Sequence, residues 1–111
     1  MTEDEARAAL LERREQLVRE DAANADSRDT VELQQDSVGR LSRMDAMQQQ
    51  AMAQAQERRR AAERTRITAA LTRLDEGEWG YCLRCGEKIA EARLRHDPSV
   101  AVCVGCASGV D

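Results

Sequence analysis

Apolar residues in the first two-thirds of the chain recur at helical spacing. In residues 2–22, Leu10, Leu11, Leu17 and Val18 fall within one ~120° arc of a helix. Arg7, Arg14 and Asp21 point into the same arc, so the stripe is narrow and predicts one half of a weak helical pair. Thr2, followed by Glu3, Asp4 and Glu5, supplies a hydroxyl cap, a Glu three residues later, and negative charge at the positive end of the helix dipole. Residues 40–75 predict a second, longer helix. No Pro or Gly occurs from Leu41 to Glu76, and Ala, Gln, Arg, Met and Glu dominate. Met44, Met47, Ala51 and Ala55 form one stripe; Ile67, Ala70, Leu71 and Leu74 form another. The two are out of phase under a strict heptad, and the strongly charged QERRRAAERTR joins them. An antiparallel pair with a stutter is expected, about 36 residues giving a helix of roughly 54 Å.

Between the two helices, Asn24, Asp26, Ser27, Asp29 and Thr30 are turn and cap formers. Asp36, Ser37 and Gly39 offer a second break, with Ser37 a candidate cap. The chain is expected to reverse within 23–40. The second helix should stop at Asp75-Glu76-Gly77. Trp79 and Tyr81 alternate around Gly80, which reads as a short strand leading into a knuckle, and Gly86 lets the backbone turn. Both rings are expected to pack that knuckle, with Ile89, Leu94, Val100, Val102 and Val104 completing a small satellite core. The fold class is therefore mainly α: a long antiparallel, coiled-coil-like helical hairpin over residues 1–76, its tip near 24–46, followed over 77–111 by a small knuckle, which the two C-x-x-C pairs at Cys82, Cys85, Cys103 and Cys106 make a C4 zinc finger.

The knuckle rests on cysteine spacing. All four cysteines lie in CLRCGEKIAEARLRHDPSVAVCVGC, as two C-x-x-C pairs with seventeen residues between them. Two residues between thiolates let one turn present both sulfurs to a tetrahedral ion, and the gap lets the chain return with the second pair. Cys82, Cys85, Cys103 and Cys106 are thus expected to hold one structural Zn²⁺. Four thiolates close its coordination, leaving no position for water or substrate. The sharper alternative is a redox sensor that releases zinc on oxidation. His96, the single histidine, is a candidate replacement ligand and more simply a solvated loop residue.

Composition narrows the function. With 111 residues there is room for one domain, and with one Trp, one Tyr and no Phe an ordinary globular core is hard to build. Charged residues make up 34%, which suits exposed helices. The net charge of −4 disfavours wholesale nucleic-acid binding. Arg58-Arg59-Arg60, with Arg64 and Arg66, is either a solvated helix face with Glu57 and Glu63 nearby or a contact for an acidic partner. No apolar run is long enough for a membrane helix, and the acidic N-terminus lacks an apolar signal core. A cytoplasmic setting is expected, where thiols are reduced and free to hold metal. No nucleophile with a base, phosphate loop or catalytic carboxylate pair is present, so an enzyme is not expected.

The order of these features resembles the DksA/TraR family of bacterial RNA polymerase regulators. The resemblance rests on Gly80-Tyr81-Cys82-Leu83-Arg84-Cys85-Gly86-Glu87-Lys88-Ile89, then Ala92-Arg93-Leu94, Pro98, and Cys103-Val104-Gly105-Cys106, with Asp21-Ala22-Ala23-Asn24 in the hairpin. It implies a hairpin inserted into the secondary channel of RNA polymerase, its tip near the catalytic Mg²⁺, modulating initiation without sequence-specific DNA contact. It also implies the stringent-response alarmone ppGpp as a candidate co-ligand; a monomer is expected. Ser42, Asp45 and Ala46 are the nearest counterpart of the family's tip motif D-x-x-D-x-A, with one acid and altered spacing. Arg59 and Arg66 fall at matching basic positions when counted back from Cys82, and Arg93 joins them as a candidate polymerase or ppGpp surface. Asp97 and Ala107 stand where the best-known member is basic. The other class of function is a zinc-ribbon adaptor that binds another protein or nucleic acid through Arg58–Arg60 and the knuckle.

Overall fold

A computed structural model describes residues 1–34 and 40–109, with side chains described at 1–25 and 43–109. The described residues form four helices: α1 (Glu3–Gln34), α2 (Arg40–Glu76), α3 (Glu91–His96) and α4 (Val104–Ala107). α1 and α2 form an antiparallel helical hairpin, and α3 and α4 belong to the zinc-finger region. The chain divides into two compact units, one made of Met1–Arg14 with Glu63–Asp111 and the other of Glu15–Ala62.

In the first unit α1 begins as its sequence predicts. The Glu5 amide donates to Thr2 Oγ1 at 3.1 Å, and the acids of the first turn sit at the positive end of the dipole. Arg7 pairs with Asp75 at 2.8 Å, and Arg13 pairs with Glu63 through two bonds of 2.7 and 3.0 Å. Residue 7 lies by 75 and residue 13 by 63, so the two helical segments run antiparallel. Ala6, Leu10, Ile67, Ala70 and Leu74 are buried in this unit. Each large side chain taken out of water stabilises the fold by about 1.5–3 kcal/mol. α2 stops in a Schellman motif: the Glu78 amide donates to the Arg73 carbonyl at 2.9 Å and the Gly77 amide to Leu74 at 3.2 Å. Gly77 takes φ 75°, the left-handed conformation that glycine adopts without strain.

In the second unit Leu17 is fully buried and Arg60 Nε donates to Asp21 Oδ1 at 2.6 Å. Here the structure departs from the expected stripes. Met44, Met47 and Met52 are well exposed, and so is Val18; Leu11, in the first unit, is also on the surface. The positions of α2 withdrawn from solvent include Ala46, Gln50, Ala53, Glu57, Arg60, Arg64, Ile67, Leu71 and Leu74. That is an unbroken alternation of four- and three-residue steps, the spacing of a heptad seam, so no stutter is needed in α2. Its middle is polar, which hides it from a search for apolar residues. The break expected at 24–30 is likewise absent, because α1 continues to Gln34. Turn-forming side chains there shift helix propensity by only a few tenths of a kcal/mol each, a weak preference that context overrides. The second expected break, at Asp36, Ser37 and Gly39, lies outside the described residues.

The zinc-finger region carries an isolated antiparallel bridge between Tyr81 and Lys88 in place of the expected strand. Trp79 is buried and its Nε1 donates to the Pro98 carbonyl at 2.9 Å, whereas Tyr81 is 44% exposed. Gly80 has φ 94°, which breaks the strand alternation that would have put both rings on one face. Ile89 and Leu94 are buried and Val100 and Val102 half-buried, while Val104, between the two ligands of the second knuckle, is exposed. α3 and α4 were not legible as helices. They have six and four residues, too short for periodicity to register.

Candidate metal centre

Each cysteine pair is held by its own turn. In the first, the Gly86 amide donates to the Cys82 carbonyl at 2.9 Å, and Gly86 adopts φ 77°. Flanking bonds from Cys82 N to Glu87 O and from Ile89 N to Gly80 O, both 2.8 Å, close the knuckle. In the second, Cys103 precedes α4, and the Ala107 amide donates to the Cys103 carbonyl at 2.9 Å. A bond of 2.9 Å from Leu83 N to Ala101 O joins the two.

The four Sγ atoms all lie within 4.8 Å of one another, and Cys85 Sγ is 3.8 Å from Cys103 Sγ. Tetrahedral zinc with bonds of ~2.3 Å needs sulfurs roughly 3.8 Å apart, so the cluster fits one zinc ion. When bound, the ion supplies cross-linking of two chain segments rather than reaction chemistry, because four thiolates complete its shell. His96 is exposed and stands outside the cluster. The thiols differ before metal arrives. The backbone amide of Cys85 is the main influence holding Cys82 down to about 6. The Cys103 side chain, then that of Cys82, push Cys106 up to about 12.

Arg84, between the first two ligands, had no assigned role in the sequence. Its amide lies 3.4 Å from Cys82 Sγ and its Nη1 donates to the Cys106 carbonyl at 3.2 Å. A cation between ligands of a tetrathiolate site was the available signal, since four thiolates around zinc leave a charge of about −2 to be balanced by the surroundings. Arg93, expected on a contact surface, is half-buried and its Nε donates to Val102 O at 3.0 Å, bracing the segment ahead of Cys103. Asp97 Oδ1 accepts from both the amide and the hydroxyl of Ser99, at 3.0 and 2.6 Å.

Away from the zinc cluster, Arg59 and Arg66 are exposed on α2. Arg66 lines a groove of about 440 Å³ with Arg13, Glu63, Arg95, His96 and Asp97. Arg58 is exposed as well, but Arg60 is drawn into the Asp21 ion pair, so the arginine run does not act as one patch. Asp45 is exposed and Ala46 half-buried, both early in α2; the side chain of Ser42 lies outside those described.

Fold and site together define a helical hairpin carrying a closed four-cysteine zinc finger. The family model for the prokaryotic dksA/traR C4-type zinc finger matches residues 77–111. Over 41 residues the chain is 42% identical to the RNA polymerase-binding transcription factor DksA of Haemophilus influenzae, covering 37% of this chain and 28% of that protein. Over 45 residues it is 42% identical to an uncharacterized protein of Aquifex aeolicus, covering 40% and 31%. The matched stretch thus spans less than a third of either relative. Among solved structures, transcription factor DksA2 from Pseudomonas aeruginosa superposes with a TM-score of 0.80 at 22% identity, over 96% of this chain and 81% of that one. The zinc-finger region is therefore similar to the DksA/TraR type, and the fold is similar to that of DksA2. No described helix is long and apolar enough to cross a membrane.

Proposed function

We propose that the protein is a transcription regulator that binds RNA polymerase, enters its secondary channel with the hairpin and modulates initiation. The observation that carries this reading is the pairing of a DksA/TraR-type zinc finger with a DksA2-like fold over 96% of the chain. A closed zinc site suits a handle that orients the hairpin, not a reacting centre. The hairpin tip, near 24–46, is the working end, with Asp45 addressing the catalytic Mg²⁺ or its ligands as a hard oxygen donor beside Ser42 and Ala46. Arg59 and Arg66 contact the polymerase, and Arg93 serves that surface by bracing the zinc finger. The protein acts as a cytoplasmic monomer and as a regulator, not an enzyme.

The groove beside Arg66 is the candidate site for ppGpp. Exposed Arg66 and Arg95 favour a phosphorylated ligand there, and the Asp97 carboxylate works against it. Dependence on ppGpp should therefore be weak. The test is capture of core RNA polymerase by wild type and Asp45→Ala, with and without ppGpp, followed by promoter-complex lifetime. Both proteins are expected to bind, and only wild type to change the lifetime. Failure of wild type to bind would leave the zinc-ribbon adaptor as the better reading.

A further inference from the structure

Arg73 is a buried cation that no described residue answers. It is the basic residue of the last turn of α2, and only 8% of it is exposed. Its Nη2 is dry and has no hydrogen-bond partner. No described residue forms a hydrogen bond or ion pair with its guanidinium, and burial lowers its pKa. The negative end of the α2 dipole favours a cation at this position, and a long stem can pack along apolar surface. Neither explains a guanidinium edge left dry and unpaired, since buried polar groups are ordinarily satisfied.

Arg73 lies seven residues beyond Arg66. That step returns to within about 20° of the same helix flank. Arg66, exposed on that flank, lines the groove with Arg13, Arg95, Glu63 and Asp97, of which Arg13 is paired with Glu63 and Arg95 with Glu91. Arg66 and Arg73 thus place two guanidinium groups on one flank of α2 within this unit, and a surface that covers them is expected to offer acidic groups. Among the Arg73 nitrogens, Nη2 alone is both dry and unpartnered, so the rest of the fork retains solvent contact. A partner can then reach a guanidinium that is already mostly desolvated and fixed, the condition under which an arginine becomes a binding anchor.

We infer that Arg73 is an interface anchor that receives a carboxylate side chain of RNA polymerase, paired through its planar fork. The inference rests on the proposed polymerase binding and adds a contact to it. It differs from a structural role in one respect: in the free protein Arg73 is a desolvated charge without compensation, so its removal should not cost stability.

The experiment compares zinc-loaded wild type, Arg73→Met and Arg73→Lys by thermal melting and by affinity for core RNA polymerase. Arg73→Met is expected to melt at or above the wild-type temperature and to bind about tenfold or more weakly. Arg73→Lys, which keeps the charge without the fork, is expected to fall between them. Affinity of Arg73→Met within about twofold of wild type overturns the anchor and leaves polymerase binding standing. A lower melting temperature for Arg73→Met overturns it in favour of a structural role. Absence of wild-type binding overturns the polymerase reading itself, and the anchor with it.

Discussion

At the scale of single residues, burial separates side chains that composition treats alike. Leu10 is 2% exposed and Val18 is 58% exposed, although both belong to one apolar arc of α1. Leu10→Ala is expected to cost about 2–5 kcal/mol, through lost transfer energy and the cavity left behind. Val18→Ala should stay within about 0.5 kcal/mol of wild type, and urea unfolding of the two variants checks the contrast. The thiols are equally unequal. Cys82, held at about 6, is the first to lose its proton, and Cys106, at about 12, the last. Zinc binds thiolates, so at neutral pH its binding must displace a proton from Cys106. Affinity should therefore rise with pH and fall steeply once Cys82 also takes up a proton, near and below pH 6. Competition against a chromophoric chelator across this range measures it. Arg84 was not foreseen because its role depends on a distant carbonyl, that of Cys106, which no local pattern reveals.

At the scale of elements, the polar seam of α2 is the finding with most consequence. Arg60 occupies a seam position, 12% exposed, and is held by Asp21. Its Nη2 is already without a partner. Polar residues at such positions reduce stability while fixing register. Asp21→Ala should therefore destabilise by about 1–3 kcal/mol, leaving the guanidinium still less satisfied. Changing both residues to apolar ones, Asp21→Leu with Arg60→Met, should recover that loss or more, as apolar replacement of buried ion pairs often does. Denaturation of single and double variants tests the coupling. This seam also marks how far the elements were legible. The Thr2 cap, the Gly77 stop and the apolar end of α2 at Ile67, Ala70 and Leu74 follow from local chemistry, and they stand in the structure. Where the seam is built from Gln50, Glu57, Arg60 and Arg64, hydrophobic periodicity has nothing to register. The neighbouring Met44 and Met47 supplied a false stripe.

At the scale of the whole molecule, the zinc finger was the most legible part. Two C-x-x-C pairs specify a tetrahedral thiolate site almost without regard to the rest of the chain, and the four sulfurs do converge. Arg66 shows the opposite case. Its groove is assembled from segments around residues 13, 63 and 95–98, far apart in sequence, so no reading of neighbouring residues could delimit it. Asp45 carries the proposed activity and is an ordinary exposed acid on α2, with meaning only against a partner. The central claim is that this chain is an RNA polymerase ligand whose zinc finger sets the hairpin for entry. Equilibrium binding of the labelled, zinc-loaded protein to purified core RNA polymerase tests it most directly. Saturable one-to-one binding that is lost on chelation and restored by zinc is the predicted result. No saturable binding, or binding indifferent to zinc removal, would contradict it.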